Sequence, residues 1–211
     1  IGVTGVQTCA LRSIKGEEKA ILVMAILFHD IAKPPTTEEK FKNGRMTITS
    51  NGHEELGGEM VKKILWNMGF HADIITPISN LVATHLAGVH ISVIPEEKSK
   101  IKAVKKLSKK LYPANIKQLL HVMNADHNGR GSDVYKVPTG SEDLARIAGS
   151  VDITEKPYEY ILMGRHLIEL GLKPSPEFGK ILSAANEAQI NGEYSDVDGG
   201  RLWLKKYLEK Q

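Results

Sequence analysis

The stretch ILFHDIAKPPTT, residues 26–37, runs from aliphatic side chains into a His-Asp pair and then into two prolines. Ile21, Leu22, Met24, Ala25 and Phe28 lead into it at helical spacing. They make an apolar face wide enough for a central helix. Pro34 disfavours helical backbone at Lys33, so the spacing predicts a helix over residues 13–32 that stops near Lys33. Ser13 is its expected cap, and Glu17 and Glu18 sit near its positive end. His29 and Asp30 then lie at its carboxyl end, about 100° apart around the axis. Burying a histidine and a carboxylate there is costly unless something pairs with them.

Outward from this stretch the pattern stays helical. EKFKNGRMTIT reads as a short hairpin near residues 40–50, turning on Asn43-Gly44. Helices are predicted from His53, with Leu56, Met60, Ile64 and Leu65 on one face, and over residues 72–87, bearing His85. Another covers residues 96–111, and the next starts after Pro113, carries Asp126 and breaks at NGRGSD, residues 128–133. Ser141 starts a short helix, two more are joined at LKPSP, and Asp196 starts the last. The expected fold is therefore all-α, a helical bundle with at most one small hairpin.

Composition narrows the class. With 211 residues the chain can bury one sizeable core or two small ones. Aromatics are 6%, so the core must be mostly aliphatic. A net charge of +3 does not by itself argue for nucleic acid. The longest apolar run, residues 20–28, falls well short of the roughly 18 residues of a membrane span, so no membrane partner is expected. The single cysteine, Cys9, excludes an internal disulfide, and a reducing cytoplasmic setting is the default.

The first residues read differently. VTGVQTCAL, residues 3–11, resembles the translation of a sequencing-library adapter, so residues 1–12 are set aside as a non-native N-terminus. Cys9 has no basic or histidine neighbour to activate it as a nucleophile.

His29, Asp30, His53, His85 and Asp126 each lie on or beside a predicted helix, mostly on its apolar side. Imidazole and carboxylate donors suit a divalent Mn, Fe, Co, Ni, Zn or Mg ion. Two ions sharing a carboxylate could bind a phosphate and generate a hydroxide nucleophile. His71, His90, His121, His127 and His166 read instead as hydrogen-bonded core or solvated surface groups.

AILFHDIAKPPTT, SNGHEELGGEMVKKIL, VATHLAGVH and LLHVMNADHNGRG, in that order, resemble the HD-domain superfamily of metal-dependent phosphohydrolases. The order is most similar to the HD domain of bacterial tRNA nucleotidyltransferases, the CCA-adding enzymes, and related poly(A) polymerases. LMGRHLIELGLKPSPEFGKILSAANEAQINGE resembles the helical segment that follows it there, so the likeness covers about residues 17–207. It implies a first domain over residues 13–150 and a C-terminal helical segment over 151–211. It also implies a metal held by an earlier histidine, by His29-Asp30 and by Asp126. His53 and His85 match further histidines that hold a second metal or contact phosphate, and Lys33 would steady a phosphate oxygen. Asp30, His53, His85 and Lys33 are the implied catalytic set.

The family's first histidine comes one helix before the pair, and no histidine precedes His29 here. The expectation is an amino-truncated fragment that has also lost a nucleotidyltransferase domain. Three functions follow from the resemblance. One is a phosphohydrolase acting on nucleotides or RNA ends. The second is the tRNA-binding helical part of a CCA-adding enzyme. The third is a degenerate domain that binds a nucleotide without hydrolysing it. Lysines 98, 100, 102, 105, 106, 109 and 110 could bind RNA phosphates, although a solvated face alternating with Ile101, Val104 and Leu107 accounts for them more simply.

Overall fold

The structure is a computed structural model and describes residues 11, 13–42, 44–129 and 140–209. The described residues are all-α apart from one two-stranded hairpin. Cys9, all but the last residue of the adapter-like string, and residues 130–133 of NGRGSD lie outside the described residues. Leu11, which ends that string, is fully buried. The chain divides into two compact units, up to Pro157 and from Tyr158. Among the described residues no helix is long and apolar enough to cross a membrane.

The first unit is built around α1 (Gly16–Phe28), whose buried Ile21, Leu22, Ala25 and Ile26 share one face. α1 packs on α4 (Ala72–Val82) and on α7 (Ile116–Gly129). Ser13 is not its cap. Gly16, at φ +65°, turns the chain into the helix, and the extended residue before it is Lys15.

α1 also ends earlier than its prolines suggest. Its last residue is Phe28, and residues 29–32 make tight turns closed by Ile31 N–H to Phe28 O and Lys33 N–H to Asp30 O, both 3.0 Å. The His29 ring donates Nδ1–H to the Ile26 carbonyl at 2.7 Å, satisfying one of the acceptors a helix end leaves open. Pro34 and Pro35 lie inside a separate short helix, α2 (Lys33–Thr36), in the first turn where a missing N–H costs nothing.

The hairpin β1 (Glu38–Lys42) and β2 (Arg45–Thr49) is antiparallel, with Phe41 opposite Met46 and Glu39 opposite Ile48. Gly44, at φ +76°, supplies its turn. The Thr37 and Ser50 hydroxyls meet at 2.7 Å at its base, which delivers the chain to α3 (His53–Asn67).

The face that α3 buries overlaps only in part with the one its large residues suggest: Leu65 is buried and Met60 and Ile64 are half-buried. His53, Gly57, Gly58, Val61 and Leu65 point inward, whereas Leu56 is exposed. The seam with α4 runs through the two glycines. A Cβ on Gly58 would stand 2.8 Å from Ala83 Cβ and 3.0 Å from the Ser79 carbonyl. Only bare backbone permits this approach, and it turns His53 toward the end of α4.

α4 stops at Val82, short of the expected residue 87. Thr84 donates its hydroxyl to Asn80 O at 2.7 Å, and residues 83–86 continue as turns into α5 (Ala87–Ser92). His85 therefore sits in a bend beyond the helix. α6 (Glu97–Leu111) and α8 (Ser141–Ser150) complete the unit, α8 packing on α5, α6 and α7.

The second unit holds α9 (Gly164–Glu169), α10 (Glu177–Asn191) and α11 (Val197–Leu208) around Leu162, Leu167, Ile181, Ala185, Tyr194 and Leu204. Asp196 caps α11 by accepting Gly199 N–H at 2.7 Å. Tyr194 donates its buried hydroxyl to Ala185 O at 2.7 Å. His166 accepts the Met163 N–H at 2.9 Å, a structural contact.

Candidate metal centre

The end of α1, the start of α3, the bend after α4 and the last turns of α7 meet at one point. They bring together His29, Asp30, His53, His85 and Asp126. His29 Nε2 lies 3.2 Å from both Asp126 Oδ1 and Asp30 Oδ2. His53 Nε2 lies 3.3 Å from His85 Nε2 and 3.4 Å from Asp30 Oδ1. His85 Nε2 is 3.9 Å from that same oxygen. Lys33 donates to Asp30 Oδ2 at 2.7 Å from the rim.

One local device aims all three imidazoles. His29 donates Nδ1–H to Ile26 O, His53 to Ser50 O at 2.6 Å and His85 to Val82 O at 2.8 Å. Each carbonyl belongs to the residue three positions earlier. A carbonyl can only accept, so the neutral tautomer carries its proton on Nδ1 and presents a bare Nε2. Three Nε2 atoms thus face one carboxylate. The rings themselves are buried.

The charges are unevenly satisfied. Burial pulls the His29 pKa down, but its hydrogen bonds to Asp126 and Asp30 outweigh this and raise it to about 9. Burial pushes Asp30 up, yet His29 and Lys33 hold its carboxyl well below the usual range. Burial lowers His85 to about 4, and the nearby His29 and His53 add to the effect. His85 is therefore a neutral donor at ordinary pH. Asp30 Oδ1 is buried and accepts no hydrogen bond, although two imidazoles stand close to it.

This donor set suits a divalent cation. Asp30, His53 and His85 each offer one atom, all within 4.8 Å of one another. Two donors about 2.1 Å from a zinc-sized ion at a tetrahedral angle stand about 3.4 Å apart. The spacings of His53 Nε2 to His85 Nε2 and to Asp30 Oδ1 match this. The orphaned Asp30 oxygen is what an ion would satisfy. On the other side, His29 Nε2 bridges Asp30 Oδ2 and Asp126 Oδ1, so the Asp30 carboxylate has His53 and His85 near one oxygen and His29 near the other.

Sequence reasoning missed three contributors. The backbone carbonyls of Ile26, Ser50 and Val82 leave no trace in residue type. Glu54, whose carboxylate stands 3.6 Å from His53 Nδ1, reads in sequence as an ordinary acidic first-turn residue. The Gly57-Gly58 pair inside a helix was a visible signal of close packing. Among the lysines of α6, Lys100 is tied to Asp143 at 2.7 Å and Lys110 to Glu55 at 3.4 Å.

A helical bundle closing around a His-Asp pair, with imidazoles and a carboxylate from other helices, defines an HD-type fold. The chain belongs to the HD domain family, whose sequence profile matches residues 6–148. It is similar to the CC-adding tRNA nucleotidyltransferase of Thermus thermophilus, 26% identical over 185 residues that cover 86% of this chain and 38% of that protein. It is also similar to the A-adding tRNA nucleotidyltransferase of Deinococcus radiodurans, 25% identical over 194 residues, 90% of this chain and 42% of that one. The chain spans about two fifths of the length of these relatives. No solved structure matches it.

Proposed function

We propose that the cluster is a divalent-metal centre and that the protein is a phosphohydrolase acting on phosphomonoesters or cyclic phosphodiesters of nucleotides or RNA ends. The observation that carries this reading is the convergence of bare imidazole Nε2 atoms on the unpartnered Asp30 Oδ1. Asp30, His53 and His85 would hold one ion. His29, Asp30 and Asp126 offer donors for a second. A bound ion would supply a Lewis acid for the phosphoryl oxygen and an activated water.

The protein's own groups do the rest. Lys33, 40% exposed at its side chain and joined to Asp30, stands at the mouth where a phosphate would enter. It orients Asp30 and offers a charge-assisted donor to a phosphate oxygen. The i−3 carbonyls hold the imidazoles, so little rearrangement is needed when substrate arrives. His53 or His85 could protonate the leaving oxygen where it is not itself a ligand.

The test is metal analysis of purified protein, followed by turnover of bis-p-nitrophenyl phosphate and 2′,3′-cyclic nucleotides with Mn, Co or Ni. Stoichiometric metal and a rate abolished by Asp30→Ala support the reading. A second reading rests on the relatives: the chain would be the tRNA-holding helical part of a nucleotidyltransferase. Salt-sensitive tRNA binding by a metal-free, inactive protein would favour it over the hydrolase.

A further inference from the structure

Trp66 comes thirteen positions after His53 on α3, about 20 Å further along the helix axis. It is 70% exposed, although a tryptophan is the side chain that most rewards burial. The end of α3 and the start of α4 border a shallow, open groove of about 550 Å³ lined by Lys62, Lys63, Trp66, Asn67, Ile75 and Thr76. That volume suits a small-molecule site.

The lining has a definite chemistry. Ile75 is buried and forms an apolar floor beside the indole. Thr76 spends its hydroxyl on Ala72 O at 2.6 Å. Lys63 has no ion-pair partner among the described residues, and Lys62 pairs only with the exposed Glu59, at 2.8 Å. An exposed i,i+3 pair of this kind is readily exchanged for a stronger anion. The groove therefore offers a π face, an apolar floor and two ammonium groups, which call for a flat ring carrying negative charge.

We propose that this groove binds a nucleotide, its base stacked on Trp66 and its phosphate held by Lys62 and Lys63. The site is separate from the metal centre. Glu54 and Glu55, in the first turn of α3, lie between them and would repel a phosphate chain running from one to the other. The ligand is thus a free nucleotide or the terminal nucleotide of an RNA, bound in its own right.

Calorimetric titration of the full chain with 5′-AMP, in excess EDTA so that no metal reports the phosphate, tests this. Saturable binding is expected, weakened about fivefold to a hundredfold by Trp66→Leu, the range stacking on one aromatic covers. Lys63→Glu should weaken 5′-AMP while leaving adenosine unchanged. Both side chains are exposed, and circular dichroism of each variant checks that the helices persist. A short oligoadenylate binding more tightly than 5′-AMP assigns the groove to an RNA terminus, and equal affinity assigns it to the free nucleotide. No binding of either, or equal binding by Trp66→Leu, overturns the proposal. So does self-association that Trp66→Leu dissolves in a protein that ignores 5′-AMP. None of these outcomes depends on hydrolysis at the metal centre.

Discussion

His53 and His85 face each other Nε2 to Nε2 at 3.3 Å, and each already donates its Nδ1–H to a backbone carbonyl. Two neutral rings so arranged bring lone pair against lone pair beside an ionised carboxylate. That contact is unfavourable unless a proton or a metal cation lies among the three groups. His85 resists the proton, since burial holds its pKa at about 4. A cation held by Asp30, His53 and His85, as proposed above, would remove this repulsion.

Asp30 is the group both halves of the cluster share, so its removal should be the most damaging single change. Asp30→Ala is expected to lose bound metal and all turnover of bis-p-nitrophenyl phosphate. The helical signal should remain, because the side chain is partly accessible and packs no core. Retained stoichiometric metal in this variant, read by mass spectrometry of the purified protein, would sink the shared-carboxylate reading.

The metal-free protein should have a pH-dependent stability with two flanks. His29 is raised from 6.5 to about 9 by Asp126 and Asp30 against its burial. Its contribution is complete below pH 6.5 and is lost as pH rises through about 9, on the order of 3 kcal/mol. His85 is lowered from 6.5 to about 4 by burial, so its neutral form is favoured. That contribution is present above pH 6.5 and is lost as pH falls toward 4. Thermal unfolding in EDTA should therefore peak near pH 6.5. Asp126→Asn should flatten the alkaline flank and His85→Asn the acid one. A midpoint that keeps rising up to pH 9 would contradict the His29 assignment.

Much of this was legible in residue order. The apolar run into His29-Asp30 marks a buried helix end, and the glycine turn at Gly44 marks the hairpin. Where reading failed, backbone and side chain were competing for the same carbonyls. The His29 ring takes Ile26 O and the chain leaves the helix at once, so Pro34 begins a new helix instead of stopping the old one. His85 does the same with Val82 O. On α3, counting large apolar residues chose the face of Leu56, whereas close packing chose the face of Gly57 and Gly58. Hydrophobic periodicity sees side-chain size; it does not see how near two backbones can come.

Lys33 should separate substrate binding from metal binding. Its Nζ is 2.7 Å from Asp30 Oδ2, but an ammonium cannot be a ligand while charged. Lys33→Ala is expected to keep its metal and to raise KM for phosphodiesters about tenfold to a hundredfold, the range for losing a hydrogen bond to a charged group. Lys33→Arg should restore part of the affinity. Loss of metal in Lys33→Ala, with KM unchanged for the fraction that retains it, would show that the lysine acts only through Asp30.

Gly58→Ala tests whether the α3–α4 seam sets the His53–His85 distance. The added methyl would meet Ala83 Cβ at 2.8 Å and the Ser79 carbonyl at 3.0 Å. Neither is the tip of a flexible side chain, so the helices must part. Overpacking of this kind costs about 1–3 kcal/mol, and a fall in thermal midpoint should report it. Because His53 begins α3 and His85 follows α4, parting them also widens the Nε2 separation and should weaken metal affinity. Gly69→Ala is the control. That glycine, at φ +82° with open space around it, lies past the other end of α3. Its substitution should lower stability through backbone strain alone and leave metal affinity as it was. If both variants lose stability and neither loses metal, the cluster's geometry is set locally by the i−3 carbonyls, and the packing of α3 against α4 serves the fold only.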